Sequence, residues 1–176
     1  MFQFKVETDK VAFDQFVLDN KGSYLQCSRW PLVKEAWGSV LYSGFENNNR
    51  VLTCMVLCRK MPGAGVIWYI PCGAVYDYKN IQLQNEFLNF IKKESKKAGA
   101  TCLIIDPLIP LRISGETVND GIENHNLFIE NDFQLNTNID SYTYKHPVQT
   151  YIHLLNDEDK QIPADKILKD CEKKKN

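Results

Sequence analysis

Apolar positions along the chain switch repeatedly between helical and extended spacing. Phe13, Phe16 and Val17 recur at helical intervals between Asp9 and Asn20, and Lys21-Gly22 supplies a stop. Ser28 is suited to cap a second helix, which tolerates Pro31 in its first turn and ends at Gly38. Residues 51–61 and 66–70 are rich in β-branched and aromatic side chains. The Pro62-Gly63-Ala64-Gly65 stretch between them predicts a β-hairpin. Residues 80–98 predict a third helix, capped by Asn80, striped with Leu83, Phe87, Phe90 and Ile91, and ended by Gly99.

A short buried strand over residues 101–105 closes on Asp106-Pro107. Residues 108–121 read as a loop, and a helix carrying Ile122, Phe128 and Ile129 runs on to Asn131. A turn at Asn131-Asp132 leads to a short strand at Phe133-Gln134-Leu135, and residues 148–155 alternate as a strand begun by Pro147. From Ala164 an amphipathic helix with Ile167, Leu168 and Cys171 runs into Lys173-Lys174-Lys175. Helices and strands alternate without repeats or low-complexity linkers, so the expected class is α/β or α+β, a mixed sheet in layers.

Composition narrows the function classes. The chain has 176 residues, 44% apolar and 24% charged, which suits one domain with a full core. Its formal charge is −1, so any contact with nucleic acid must be local. Charges interrupt the first residues where a signal peptide needs an apolar run, and the longest near-apolar stretch, residues 51–58, is too short to span a bilayer. A cytoplasmic location is expected. In a reducing compartment the six cysteines are expected as core thiols, with Cys54 and Cys58 on one face of a strand. His125, His146 and His153 share no metal-ligand or triad spacing, so no metal is expected.

The most informative segment is Leu25 to Trp37. On a helix Trp30, Val33, Lys34 and Trp37 fall at i, i+3, i+4 and i+7, one face. An ammonium between two indoles suits an anion such as phosphate, with the rings excluding solvent. The same spacing also fits a lysine snorkelling past Trp37 at the edge of a stripe. Asp106 directly follows a buried strand, where open sheets place ligands, and a carboxylate there suits a general base; it equally suits a turn before Pro107. Lys60 to Gly65 nearly matches the loop with which acetyltransferases hold the coenzyme A pyrophosphate. That loop must open a helix, whereas here a strand follows, so it reads as a hairpin turn and no cofactor is expected. Lys92, Lys93, Lys96 and Lys97, with Lys173 to Lys175, form a basic face for an RNA backbone or anionic lipid, or a solvated helix surface.

Taken together, Trp30-x-x-Val33-Lys34-x-x-Trp37, Arg59-Lys60-x-Pro62, Tyr69-Ile70-Pro71-x-Gly73-x-Val75 and Ile105-Asp106-Pro107 resemble the Fem/MurM family of peptidoglycan-bridge aminoacyltransferases. Weaker similarity continues through Phe133 and the strand after Pro147. The resemblance implies a GNAT-like mixed sheet flanked by helices, the first of two acyltransferase-like subdomains, over residues 1–155. It implies that residues 156–176 begin the helix leading into a second subdomain beyond Asn176. It also implies transfer of an amino acid from aminoacyl-tRNA to the stem peptide of lipid II or of its muramyl-pentapeptide nucleotide precursor, at the inner face of the membrane. Lys34 falls on the lysine that contacts the precursor's phosphates, with Trp30 and Trp37 beside it as substrate-binding residues, and Asp106 falls on the catalytic aspartate. Where the family has Arg and Pro in Y-I-P-R-G-P, this chain has Cys72 and Ala74. Two other readings remain: a shortened, non-catalytic paralogue that pairs with a full-length partner chain, and an ordinary coenzyme A acetyltransferase.

Overall fold

A computed structural model describes residues 1–63, 65–113, 116–136 and 150–154. The chain opens with β1 (Phe2–Val6) and α1 (Lys10–Asp19), followed by β2 (Gly38–Glu46), β3 (Asn49–Met61), β4 (Gly65–Ile70) and the two-residue β5 (Val75–Tyr76). Then come α2 (Ile81–Lys97), β6 (Cys102–Ile105), the small β7 (Arg112–Ile113) and β8 (Glu116–Thr117) ladder, α3 (Asn119–Glu130), β9 (Gln134–Asn136) and β10 (Thr150–Leu154). The main sheet runs β1-β2-β3-β4-β6-β10-β9, with β5 also on β3. β4 and β6 are parallel, and the other pairs are antiparallel.

The alternation within β3 divides the core into two layers. Leu52, Cys54 and Val56 face Leu83, Phe87 and Ile91 of α2, with Phe128 of α3 in the same cluster. Met55 and Leu57 face the other way, onto Phe13 and Val17 of α1. The mixed α/β class expected from the pattern is therefore the class observed. Local chemistry places the helix ends: the side chains of Asp9 and Asn80 accept from the amides of Ala12 and Leu83, and Gly99 leaves α2 at φ +73°. The hairpin forms as expected, with Met61 paired to Gly65.

The helix expected from Ser28 to Gly38 does not form. Two short 310 turns, Tyr24–Gln26 and Trp30–Val33, occupy the region, and Gly38 already belongs to β2. Ser28 is engaged elsewhere: its amide and its hydroxyl donate to the Asp14 carboxylate on α1 at 2.6 and 2.8 Å. Lys34 leaves helical space at φ −111°, ψ 59°, and the Trp37 amide donates to its carbonyl at 2.7 Å. Pairing of β2 with β3 thus prevails over local helix signals. Three strands, β1, β2 and β5, and the β7–β8 ladder within the expected loop are additions to what the pattern predicts.

Cys54 and Cys102 are buried; Cys27, Cys58 and Cys72 are part-buried, and all five are free thiols. Among the described residues no cluster suits a metal ion, and no helix is long and apolar enough to cross a membrane. The basic face of α2 is smaller than its sequence suggests, because Lys92 donates to the Asn131 carbonyl at 2.9 Å and so ties α2 to the end of α3. The helix expected from Ala164, with Cys171, and His146 lie outside the described residues.

Candidate functional site

The site grows from the place where the two parallel strands end together. Ile70 of β4 is level with Ile105 of β6, and the next residues are Pro71 and Asp106. Beyond Pro71 the backbone turns through two left-handed residues, Cys72 at φ +54° and Gly73 at φ +64°. That curl aims main-chain donors at Asp106: the Cys72 amide donates to Oδ1 at 2.5 Å, and the Tyr69 hydroxyl donates to Oδ2 at 2.7 Å. Asp106 is only 3% exposed. Burial pushes its carboxyl up to about 7, against hydrogen bonds from Tyr69 and from the amides of Cys72, Asp106 itself and Gly73. The group is thus poised between acid and base near neutral pH, which is where a general base works best.

Position 73 requires glycine for space as well as for its φ. An added Cβ would lie 2.6 Å from the Tyr78 hydroxyl oxygen and 2.9 Å from Pro107 Cα. Gly73→Ala is expected to cost about 2 kcal/mol or more in urea unfolding, by forcing the turn off Asp106.

The neighbouring thiol is held towards its protonated form. Burial raises the pKa of Cys72, a hydrogen bond with Ser23 works against the rise, and the Asp106 charge adds to it. Cys72 therefore stays protonated at neutral pH.

Tyr69 leads from the carboxylate to an aromatic wall on the α1 face. Its ring lies 6.4 Å from that of Trp37, and the Arg59 guanidinium sits 5.7 Å from the Trp37 ring centre. Lys34 Nζ lies 5.3 Å from the Trp30 ring centre, and the Trp30 ring meets Tyr24 edge-on at 5.5 Å. Trp30, Trp37 and Tyr69 all pack on the cluster containing Phe13 and Met55. The sequence reading had Lys34 between two indoles of one helix; the structure gives each indole its own cation, Lys34 on Trp30 and Arg59 on Trp37. Lys34 itself is exposed. Asp106, Tyr69 and Trp37 are in sequential contact.

Two residues of the site carry no periodic signal. The Tyr69 hydroxyl is one, hidden in a strand of large apolar residues. The other is Gln26, fully buried, whose amide donates to the Pro71 carbonyl at 2.5 Å and whose Oε1 accepts from the Met55 amide at 2.8 Å. A polar residue between Leu25 and Cys27, ahead of the tryptophans, is the only hint of it. The segment after Pro62-Gly63 continues into β4, antiparallel to β3, and not into a helix, so the helix N-terminus that a pyrophosphate cradle needs does not follow it.

Residues 8–176 match the FemAB family. The chain belongs to that family. The FemAB-family fold is also evident in solved structures: FemX superposes with a TM-score of 0.65 at 20% identity, over 80% of this chain and 34% of that one. This FemAB-family chain thus spans about a third of the length of FemX. An N-acetyltransferase from Staphylococcus aureus Mu50 superposes with a TM-score of 0.59 at 13% identity, over 88% of this chain and 98% of its own. The ribosomal-protein-S18-alanine N-acetyltransferase from Escherichia coli gives a TM-score of 0.52 at 12% identity, over 86% and 91%. At such identities these likenesses establish a GNAT-like fold and nothing finer. No curated protein matches the chain.

Proposed function

We propose that this chain is the acceptor-binding unit of a peptidoglycan-bridge aminoacyltransferase. On this reading an amine of a stem peptide, carried on lipid II or on the muramyl-pentapeptide nucleotide, attacks the ester carbonyl of an aminoacyl-tRNA. A C–N bond forms, the C–O ester bond breaks, and the tRNA 3′-terminal hydroxyl leaves. The attacking nitrogen loses a proton, which Asp106 accepts and returns to the departing 3′ oxygen, so that it leaves as a hydroxyl. The observation that carries the reading is the Asp106 carboxylate at the paired ends of β4 and β6, held by Tyr69 and Cys72 and titrating near 7. The protonated Cys72 thiol supports direct transfer without an enzyme-bound acyl group.

Lys34, walled by Trp30, binds the acceptor's phosphates, and Trp37 bounds the cleft on the side of Tyr69. Residues 1–155 form the first acyltransferase-like subdomain, and residues 156–176 lead towards a second that contributes most of the tRNA contacts. Both substrates meet on the cytoplasmic face of the membrane, where aminoacyl-tRNA is found. Calorimetric titration with the muramyl-pentapeptide nucleotide tests the assignment. Salt-sensitive binding is expected, weakened about tenfold or more by Lys34→Ala. Equal titration curves for the two proteins would remove Lys34 from the site.

A further inference from the structure

The loop between α1 and β2 turns large apolar side chains outward while two of its polar ones are buried. Tyr24, Leu32 and Val33 are 70%, 77% and 67% exposed, whereas Gln26 is fully buried and Ser28 is bound by Asp14 of α1. The inversion is held firmly. The amides of Cys27, Trp30, Leu32 and Lys34 donate to the carbonyls of Tyr24, Cys27, Arg29 and Pro31 at 2.9 to 3.1 Å, so the segment is a continuous run of turns. Gln26 anchors that run to Met55 and Pro71, and Trp30 packs on the cluster containing Phe13. The Tyr24 ring meets Trp30 edge-on at 5.5 Å, and Trp30 lies between Arg29 and the Pro31-Leu32-Val33 tip. Apolar groups on so fixed a backbone cannot fold inward, and they form one patch facing water.

We propose that this loop is a docking surface for an anionic lipid bilayer, with Leu32 and Val33 entering the headgroup boundary and Arg29 resting on the lipid phosphates. Charge selects the occupant. From Asn20 to Lys34 the chain has three cations, Lys21, Arg29 and Lys34, and no carboxylate, although its formal charge overall is −1. Asp19 and Glu35 bound the stretch, and the Asp14 carboxylate is taken by Ser28. Exposed aliphatic tips flanked by basic and aromatic residues suit a membrane interface, where aromatic rings sit at headgroup level and long basic side chains reach the phosphates. A second copy of the chain fits less well, because a two-fold contact here sets each cluster of cations against its own image.

The inference does not rest on the acceptor reading, which uses Trp30 and Lys34 and leaves Tyr24, Arg29, Leu32 and Val33 without a role. Its ligand is the bilayer itself. An aliphatic side chain leaving water contributes about tenfold or more to binding, and a basic residue close to an anionic leaflet about fivefold. Two aliphatic tips and a few cations therefore give a reversible, salt-sensitive attachment and not a permanent anchor.

The test mixes the full chain with vesicles of phosphatidylcholine and phosphatidylglycerol in equal parts, without acceptor or tRNA, and reads bound protein by flotation. Binding is expected, and weaker binding to phosphatidylcholine alone. Changing Leu32→Ser and Val33→Ser together is expected to weaken it about tenfold or more, and Arg29→Gln about fivefold on the anionic vesicles only. These side chains are exposed, so the variants should melt with the native chain. Should the double variant unfold, Tyr24→Ser combined with Arg29→Gln carries the test, with an expected loss of about tenfold. No binding of the native chain to anionic vesicles, or equal binding by the folded double variant, overturns the inference. A dimer in sedimentation that the double substitution dissolves, with no vesicle binding, gives the patch to a second copy and also overturns it. Calorimetry with the muramyl-pentapeptide nucleotide keeps the two readings apart, because that water-soluble ligand should bind the double variant as it binds the native chain. Vesicle binding by a chain that ignores the nucleotide removes the acceptor reading and keeps the docking surface. Nucleotide binding without vesicle binding does the reverse.

Discussion

Asp106→Asn is expected to melt progressively higher than the native chain as pH rises from 4 to 7, with no further change above. The sign follows from proton binding. The carboxyl titrates near its ordinary value of 3.8 in the unfolded chain and at about 7 in the fold, so the folded state holds the proton more tightly. The stability this group contributes is fully present below about 4 and is lost as pH climbs through 7. Asparagine is neutral throughout and shows no such loss. A shift of about three units sets an upper bound on the order of 4 kcal/mol, or roughly 10 °C for a domain of this size. The check is thermal unfolding of both proteins at half-unit pH steps, and a constant difference across the range would contradict the buried, raised carboxyl. In an enzyme that joins the same substitution to the second subdomain, the transfer rate is expected to fall about 10²-fold or more, with the acceptor's affinity changed little, because a general base acts on the proton in flight and not on the bound ground state.

How much of this was legible depended on whether the deciding contact was local. Helix α2 was readable because its cap, stripe and stop all lie within twenty residues, and the β3–β4 hairpin because its turn lies between two strongly β-forming runs. Asp106 could be picked out because it directly follows a buried strand. The Ser28 helix failed for the opposite reason. Its cap signal is local, but the group that takes up Ser28 is Asp14, on another element, and β2 claims Gly38 through pairing with Cys58. β2 itself, with Gly38, Ser39, Ser43 and Gly44, has weak strand propensity and is set by its neighbours β1 and β3. The cation pairs divide the same way. Lys34 and Trp30 are four residues apart and could be paired from spacing, even though the segment is not an α-helix. Arg59 and Trp37 meet only because β3 and the loop before β2 are folded together, so their contact had no trace in the sequence.

Gln26→Ala is expected to be among the most damaging single changes, lowering the melting temperature by about 10 °C. β3 pairs with β5 at Leu52 and Thr53 and with β4 from Leu57 onward, so a gap opens between them at Met55 where the chain at Pro71 swings away. The Gln26 carboxamide fills that gap as a peptide group would. Its Oε1 accepts from the Met55 amide at 2.8 Å, and its Nε2 donates to the carbonyls of Met55 and Pro71 at 3.3 and 2.5 Å. Alanine leaves buried main-chain groups on both sides without partners, at a cost of about 3 kcal/mol. Leucine, close in volume, is expected to do no better, because the loss is in polar satisfaction and not in packing. Glutamate separates the two: its ionised form repels both carbonyls, while its protonated form donates to one, so Gln26→Glu should recover stability as pH falls. The damage also reaches the site. Pro71 precedes the turn that brings the Cys72 amide to Asp106, and that hydrogen bond lowers the carboxyl's pKa. Loosening the turn should therefore push the Asp106 titration higher still, moving the pH range over which the native protein loses stability upward. A Gln26→Ala protein that melts with the native chain, and loses stability over the same pH range, would show that the gap in the sheet closes without the carboxamide.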